Sequence, residues 1–295
     1  MAEDVRRAAI ALYDRFTHEG MDRRDFMAKL TLIAGSAAAA SLLLADIAAK
    51  AEAQPQVAAD DRRLLTRELE WEPRPGRRYR GYSAKPAVTD GRGGFPIIIV
   101  IHENRGLNDH IRDVARRLAL AGFEALAPDW LSPAGGTPVG DDDGARAIIG
   151  QLDMAETAAD GVATFGWLRR SEGRPRKIGI VGFCWGGGLV NRLATGTGDP
   201  LAAAVSYYGP APAPAEAARV RVPILFQLAG RDARVNGTAK PFAAAIQAAG
   251  GSATVIEHPD VDHAFNNDTS AARYNREAAA SAWVQTLGFF RQHLR

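Results

Sequence analysis

The sequence predicts an α/β protein with a mostly parallel, doubly wound sheet flanked by helices. Three observations carry this. From Leu64 onward, short apolar runs of β type alternate with longer runs of helical period. Stretches rich in Gly, Pro and Asp separate them, as in Pro73–Gly76 and Ser132–Asp143. One apolar run, Lys177–Val181, passes directly into Gly182-Phe183-Cys184-Trp185-Gly186-Gly187 and then into a helix-compatible segment.

In chain order, Leu64–Glu72 and Tyr79–Ala84 read as opening strands, followed by a loop at Asp90-Gly91-Arg92-Gly93-Gly94 and a buried strand at Pro96–His102. Asp109–Ala121 is an amphipathic helix that stops at Gly122, and Glu124–Pro128 is the next strand. Ser132–Asp143 reads as a long surface loop and Met154–Arg170 as a helix. Lys177–Phe183 is a strand and Trp185–Ala194 its helix. Strands at Ala202–Tyr208, Val222–Ala229 and Ala253–His258 follow, with a helix at Thr238–Ala249 between the last two and a closing helix at Ala271–His293.

The first sixty residues are of another kind. Asp22-Arg23-Arg24-Asp25-Phe26-Met27-Ala28-Lys29 resembles the twin-arginine export motif. It leads into Leu30–Leu44, rich in Ala and Leu, and Ala51-Glu52-Ala53 fits an A-x-A cleavage site before Gln54. The expectation is a signal segment over residues 1–53, a linker over 54–63 and one domain over 64–295. A span needs about twenty apolar residues, so no stable membrane span is expected. The rival reading is a retained helical arm, because Val5, Ala8, Ala9, Leu12, Tyr13 and Phe16 fall at helical spacing.

Composition narrows the function. With 46% hydrophobic and 24% charged residues and a net charge of +2, the chain is an ordinary globular protein with no call for nucleic acid. One cysteine excludes a disulfide framework and a Cys-based zinc site. His102-Glu103 does not continue into His-Glu-x-x-His, which removes the zincin reading. No metal site is expected.

Gly-x-Cys-x-Gly between a strand and a helix is the nucleophile-elbow pattern with cysteine in place of serine. A lone cysteine is usually a small buried hydrophobe; here two partners follow in the order nucleophile, acid, histidine. Asp232 follows the Val222–Ala229 strand and His263 follows the strand ending at His258. His263 would shuttle the proton and Asp232 would hold the imidazole tautomer. Asp232 could equally cap a helix, and His102 and His258 compete with His263. Glu103 follows the Pro96–Ile101 strand, where it can accept the thiol proton or keep the thiol protonated until substrate arrives. The backbone N–H groups of Trp185 and Asn104 are assigned to the oxyanion hole.

The Glu103 segment, the Gly182–Gly187 elbow, Asp232 and Asp262–Phe265 together resemble the dienelactone hydrolase family, over roughly Leu64 to the C-terminus. Ala127-Pro128-Asp129 and Tyr207-Tyr208-Gly209 add to the likeness. The resemblance implies the α/β-hydrolase fold, a Cys184-His263-Asp232 triad with Glu103 as thiol activator, and hydrolysis of esters or enol-lactones through a thioester without a cofactor. The chain departs from the dienelactone enzymes at the pocket. They grip the substrate carboxylate with two arginines, and the place of one, four residues after the histidine, is taken by Asn267. Arg146 is a loose match for the other, and Arg105 or Arg234 are alternative sources of positive charge. Tyr207 and Phe265 complete the expected substrate contacts.

The expected function is therefore a cysteine-dependent hydrolase of carboxylic esters or (enol-)lactones. The alternative is a binding or thiol-sensing protein on the same scaffold; amide hydrolysis is a third reading that nothing in the sequence favours. Expected partners are a small ester or lactone, a twin-arginine translocase and a second copy of the chain. The expected location is the periplasm or beyond, or the cytoplasm if the first segment is not an export signal.

Overall fold

The computed structural model describes residues 2–48, 55–88, 94–171, 176–196 and 201–294. The Ala51-Glu52-Ala53 site, Gln54 and most of the Asp90–Gly94 loop lie outside the described residues. The backbone of residues 64–294 follows an α/β-hydrolase plan. A hairpin of β1 (Leu64–Arg74) and β2 (Arg77–Pro86) opens it, then β3 (Ile97–Ile101), α4 (Asp109–Leu120) and β4 (Glu124–Pro128). Next come α5 (Asp142–Gln151), α6 (Met154–Ser171), β5 (Ile178–Phe183), α7 (Trp185–Gly196) and β6 (Leu201–Tyr207). The chain closes with β7 (Ile224–Ala229), α8 (Ala233–Ala248), β8 (Ala253–His258) and α9 (Arg276–His293). Among the described residues the strands form one eight-stranded sheet in the order β1-β2-β4-β3-β5-β6-β7-β8. All neighbours beyond β4 are parallel, and β2 is antiparallel to both β1 and β4.

Side chains of a strand alternate between faces, and here both faces are core. Ile97, Ile99 and Ile101 pack with α6, α7 and α8, whereas Ile98 and Val100 pack with α4 and α9. This explains why β3 carries an unbroken apolar run. The carboxyl ends of β3, β5, β7 and β8 open toward the same end of the sheet, which is where such folds place a site.

Four boundaries differ from expectation. Ser132–Asp143 contains a 3-10 turn at Ser132–Ala134, and α5 starts inside its end, capped by Asp141. α8 begins at Ala233 because the Asp232 side chain caps it, five residues before the expected start. Asn275 caps α9, so residues 271–275 are not part of that helix. The expected polar linker is anchored: the N–H groups of Gln56 and Val57 donate to the buried Asp113 carboxylate, and Arg116 donates to the Val57 carbonyl.

The N-terminal segment folds into α1 (Ala2–His18), α2 (Arg23–Ala34) and α3 (Ala37–Ala48). They share a small core of their own, made by Ala9, Ile10, Leu12, Tyr13, Phe26, Leu30, Ala40 and Ile47. Asp22 caps α2, which places Arg23 and Arg24 in its first turn. Among the described residues no single helix is long and apolar enough to cross a membrane; α2 and α3 pass that test only as a pair, bent by 105°.

Candidate active site

Cys184 stands between β5 and α7 with φ 56°, a left-handed conformation that costs a non-glycine residue energy. The surroundings hold it there. Its N–H donates to the Tyr207 carbonyl at 3.0 Å. A Cβ on Gly182 would meet the Gly186 carbonyl oxygen at 2.2 Å, and one on Gly186 would meet the backbone oxygens of Ile101 and His102 at 2.5 Å. The two glycines let three pieces of backbone pass close together, and the sulfur is pushed out at the start of α7.

Asp232 and His263 come from the ends of β7 and β8. Asp232 Oδ2 accepts from His263 Nδ1 at 2.5 Å, while Oδ1 caps α8 through the Val235 N–H at 3.1 Å. One carboxylate thus both caps α8 and bonds the His263 imidazole. Burial alone would raise its pKa, but His263 and the cap bond hold it below the usual value. The competing histidines are engaged elsewhere. His102 Nδ1 bonds the Glu103 carbonyl and its Nε2 accepts from the Trp130 N–H, while His258 Nε2 bonds Gln227.

Around Cys184 a cavity of about 20 Å³ is lined by His263, Glu103, Asn104, Arg105 and Arg146, with Ala264, Arg273 and three residues of α1, namely Tyr13, Thr17 and His18. Glu103 is 5% exposed and accepts from the Tyr208 hydroxyl and the Asn267 amide. Its hydrogen bonds therefore run to these two groups and not to the thiol. Among the described residues the N–H groups of Trp185 and Asn104 have no protein acceptor. The first N–H groups of a helix are free for a ligand. Arg105 pairs with Asp142 at 3.6 Å and Arg146 with Asp143.

Burial pushes the Cys184 thiol up, but the charges of His18 and His263 outweigh it and bring its pKa down to about 5. For His263, burial pulls down, and the Asp232 carboxylate and Cys184 thiolate lift the pKa to about 10. The shifts share one cause, a thiolate–imidazolium pair backed by a carboxylate.

The chain is similar to known proteins. The sequence profile described as "Dienelactone hydrolase family" matches residues 80–294. The chain belongs to the dienelactone hydrolase family. It is 30% identical to an Escherichia coli K12 protein provisionally named a carboxymethylenebutenolidase, over 75% of this chain and 85% of that protein. It is 33% identical to "Protein usf" of Aquifex pyrophilus, over 74% of this chain and 95% of that protein. A Klebsiella pneumoniae crystal structure, titled provisionally as a dienelactone hydrolase, superposes with a TM-score of 0.67 at 29% identity and covers 78% of this chain and 99% of its own. The protein is thus a hydrolase of the dienelactone hydrolase type.

Within this dienelactone hydrolase scaffold three expected substrate contacts do not reach the cavity. Tyr207 is fully buried, its hydroxyl bonded to Thr286 at 2.6 Å. Phe265 is fully buried against Tyr208 and His258. Arg234 starts α8 and does not line the cavity. For Tyr207 and Phe265, strand alternation and the turn after β8 direct the rings into the core. Two residues at the site went unread in the sequence. Arg273, 8% exposed, lines the cavity and pairs with Asp14 of α1 at 2.6 Å. His18 Nε2 lies 3.0 Å from Cys184 Sγ. Neither sits in a motif; only the fold brings them to the thiol.

Proposed function

We propose that the protein is a cysteine-dependent hydrolase of carboxylic esters or (enol-)lactones, acting through a thioester. The observation that supports this most is the Asp232–His263 bond of 2.5 Å behind an imidazole that lies within 4.8 Å of the Cys184 thiol. The Cys184 thiolate attacks the carbonyl carbon. The N–H groups of Trp185 and Asn104 receive the oxyanion. The C–O bond to the leaving group breaks, and that oxygen takes the proton of His263. Water, deprotonated by His263, then cleaves the thioester and returns the thiol. Glu103, bonded to Tyr208 and Asn267, holds its carboxyl group at the cavity wall, where the family likeness makes it the thiol activator.

The test is turnover of p-nitrophenyl acetate, p-nitrophenyl butyrate and cis-dienelactone by the wild type and by Cys184→Ala. Loss of turnover in a folded Cys184→Ala variant is expected, and wild-type rates in it would end this reading. The thiol-sensing alternative draws on the same lowered thiol pKa. It would show as rapid sulfenic acid formation with peroxide and no thioester with slow esters.

For the location, we propose export by way of the Arg23-Arg24 segment, with a translocase as the transient partner. Cell fractionation with N-terminal sequencing checks it. A cytoplasmic protein that keeps residues 1–53 would instead favour the retained arm.

A further inference from the structure

Hydrolysis by a triad needs one imidazole at the sulfur, and this site has a second. His18, at the end of α1, places Nε2 at 3.0 Å from Cys184 Sγ, and one donor atom from each of His18, Cys184 and His263 lies within 4.8 Å of the other two.

The hydrogen-bond partners settle where the protons are. His18 Nδ1 is 2.6 Å from the Asp14 carbonyl oxygen, which can only accept, so Nδ1 carries hydrogen. His263 Nδ1 donates to the Asp232 carboxylate. In both rings the second nitrogen, Nε2, is left to face the sulfur. This is the arrangement that orients histidines toward metal ions, with a carbonyl or carboxylate behind each ring.

A protonated Nε2 faces the sulfur as an N–H donor, and a neutral one faces it as a lone pair. His263 Nε2 is buried and has no hydrogen-bond partner among the described residues, and its residue is 2% exposed. The amide of Asn104 approaches His18 Nε2 only at 3.5 Å.

A divalent cation would take one lone pair from each of the three atoms and displace whatever protons they carry. One thiolate and two imidazoles are a donor set that zinc favours. Zinc held at about 2.3 Å from sulfur and about 2.0 Å from each nitrogen sets the ligand atoms roughly 3.5 Å apart. That separation falls within the span of this cluster. The two positive charges are met by the thiolate and by Asp232 behind His263.

We propose that His18, Cys184 and His263 form a site for a thiophilic divalent cation, Zn²⁺, that bridges α1 and the hydrolase domain. The fourth position opens on the cavity, to water or an anion. The site exists only while residues 1–53 remain attached, before any cleavage at Gln54, and it is independent of whether Cys184 turns over esters. If it does, bound Zn²⁺ blocks that turnover, because it holds both the nucleophile and the base. Exclusion of zinc on the cysteine count considered only cysteine-rich sites, whereas this one joins residues 166 positions apart.

The test uses the full chain, stripped with a chelator and titrated with Co²⁺. One equivalent is expected to bind, with a thiolate-to-cobalt charge-transfer band that Zn²⁺ abolishes stoichiometrically. Cys184→Ser should lose the band, and His18→Ala should weaken binding at least tenfold. His18 is a half-buried residue at a helix end, so His18→Ala is expected to keep its fold, checked by circular dichroism. No charge-transfer band in the wild type, or equal affinity in His18→Ala, overturns the site. Ester turnover by the metal-free protein is measured separately. Its absence would strike the hydrolytic reading and leave the cobalt spectrum to judge this one.

Discussion

At Gly186 the space for a side chain is already taken by backbone, since a Cβ there would lie 2.5 Å from two carbonyl oxygens of β3 and its following residue. Gly186→Ala must therefore push β3 and α7 apart. The expected cost is about 3 kcal/mol, read as a fall in melting temperature with the elbow disordered; an unchanged melting temperature would mean that the turn relaxes freely. Asn267 makes a second case. It stands where the resemblance led one to look for arginine, and it donates to Glu103. Asn267→Asp replaces that donor with an acceptor that repels the Glu103 carboxyl group. Turnover of p-nitrophenyl acetate should fall at least tenfold with circular dichroism unchanged. Wild-type rates would detach Glu103 from the chemistry.

Between elements, the strongest polar joint away from the site ties α6 to the β1–β2 hairpin. Asp160, fully buried, accepts from Arg74 and Arg77 at 2.6 Å and from the Tyr79 hydroxyl at 2.7 Å. Burial raises its pKa, and the two guanidinium groups and the phenol outweigh it, so the folded value lies below the ordinary 3.8. A depressed carboxylate stabilises the fold above the unfolded pKa and loses that contribution as pH falls through the folded one. Asp160→Asn should lower stability by about 3 kcal/mol at pH 7. The gap between variant and wild type should narrow as pH falls below about 3.9. Thermal melts from pH 2.5 to 7 check this, and a gap that stays constant would rule out the ionic joint.

On the scale of the molecule, the N-terminal helices sit over the site. Asp14 of α1 holds the buried Arg273, the Asn104 amide donates to the Thr17 carbonyl, and His18 meets Cys184. A cavity of about 20 Å³ holds little more than a water molecule. Substrate and α1 therefore compete for one space. Protein beginning at Gln54 should hydrolyse p-nitrophenyl butyrate at least tenfold faster than the full chain, with the larger gain for butyrate than for acetate. Equal rates for the two lengths would show that α1 does not obstruct the site in solution. Asp14→Ala, which frees Arg273, should give part of the same gain.

The elbow, Asp232, His263 and Glu103 were legible because local chemistry encodes them: glycines at a close approach, polar residues directly after apolar strands, a cap before a helix. The parallel character of the sheet follows from the alternation of strand and helix, whereas its strand order comes from the structure. The α5 helix was hidden in a Gly- and Asp-rich stretch because capping by Asp141 outweighs poor local propensity. Tyr207 and Phe265 were misread because sequence places a residue near a strand end without saying which way its ring turns. His18 and Arg273 carried no signal at all, since an isolated polar residue gains meaning only from what packs against it. The sequence by itself determined the family scaffold and the chain order of Cys184, Asp232 and His263 at the strand ends. Tertiary structure alone decided the roof over the thiol, because contacts across 166 positions arise from packing and leave no local pattern to read.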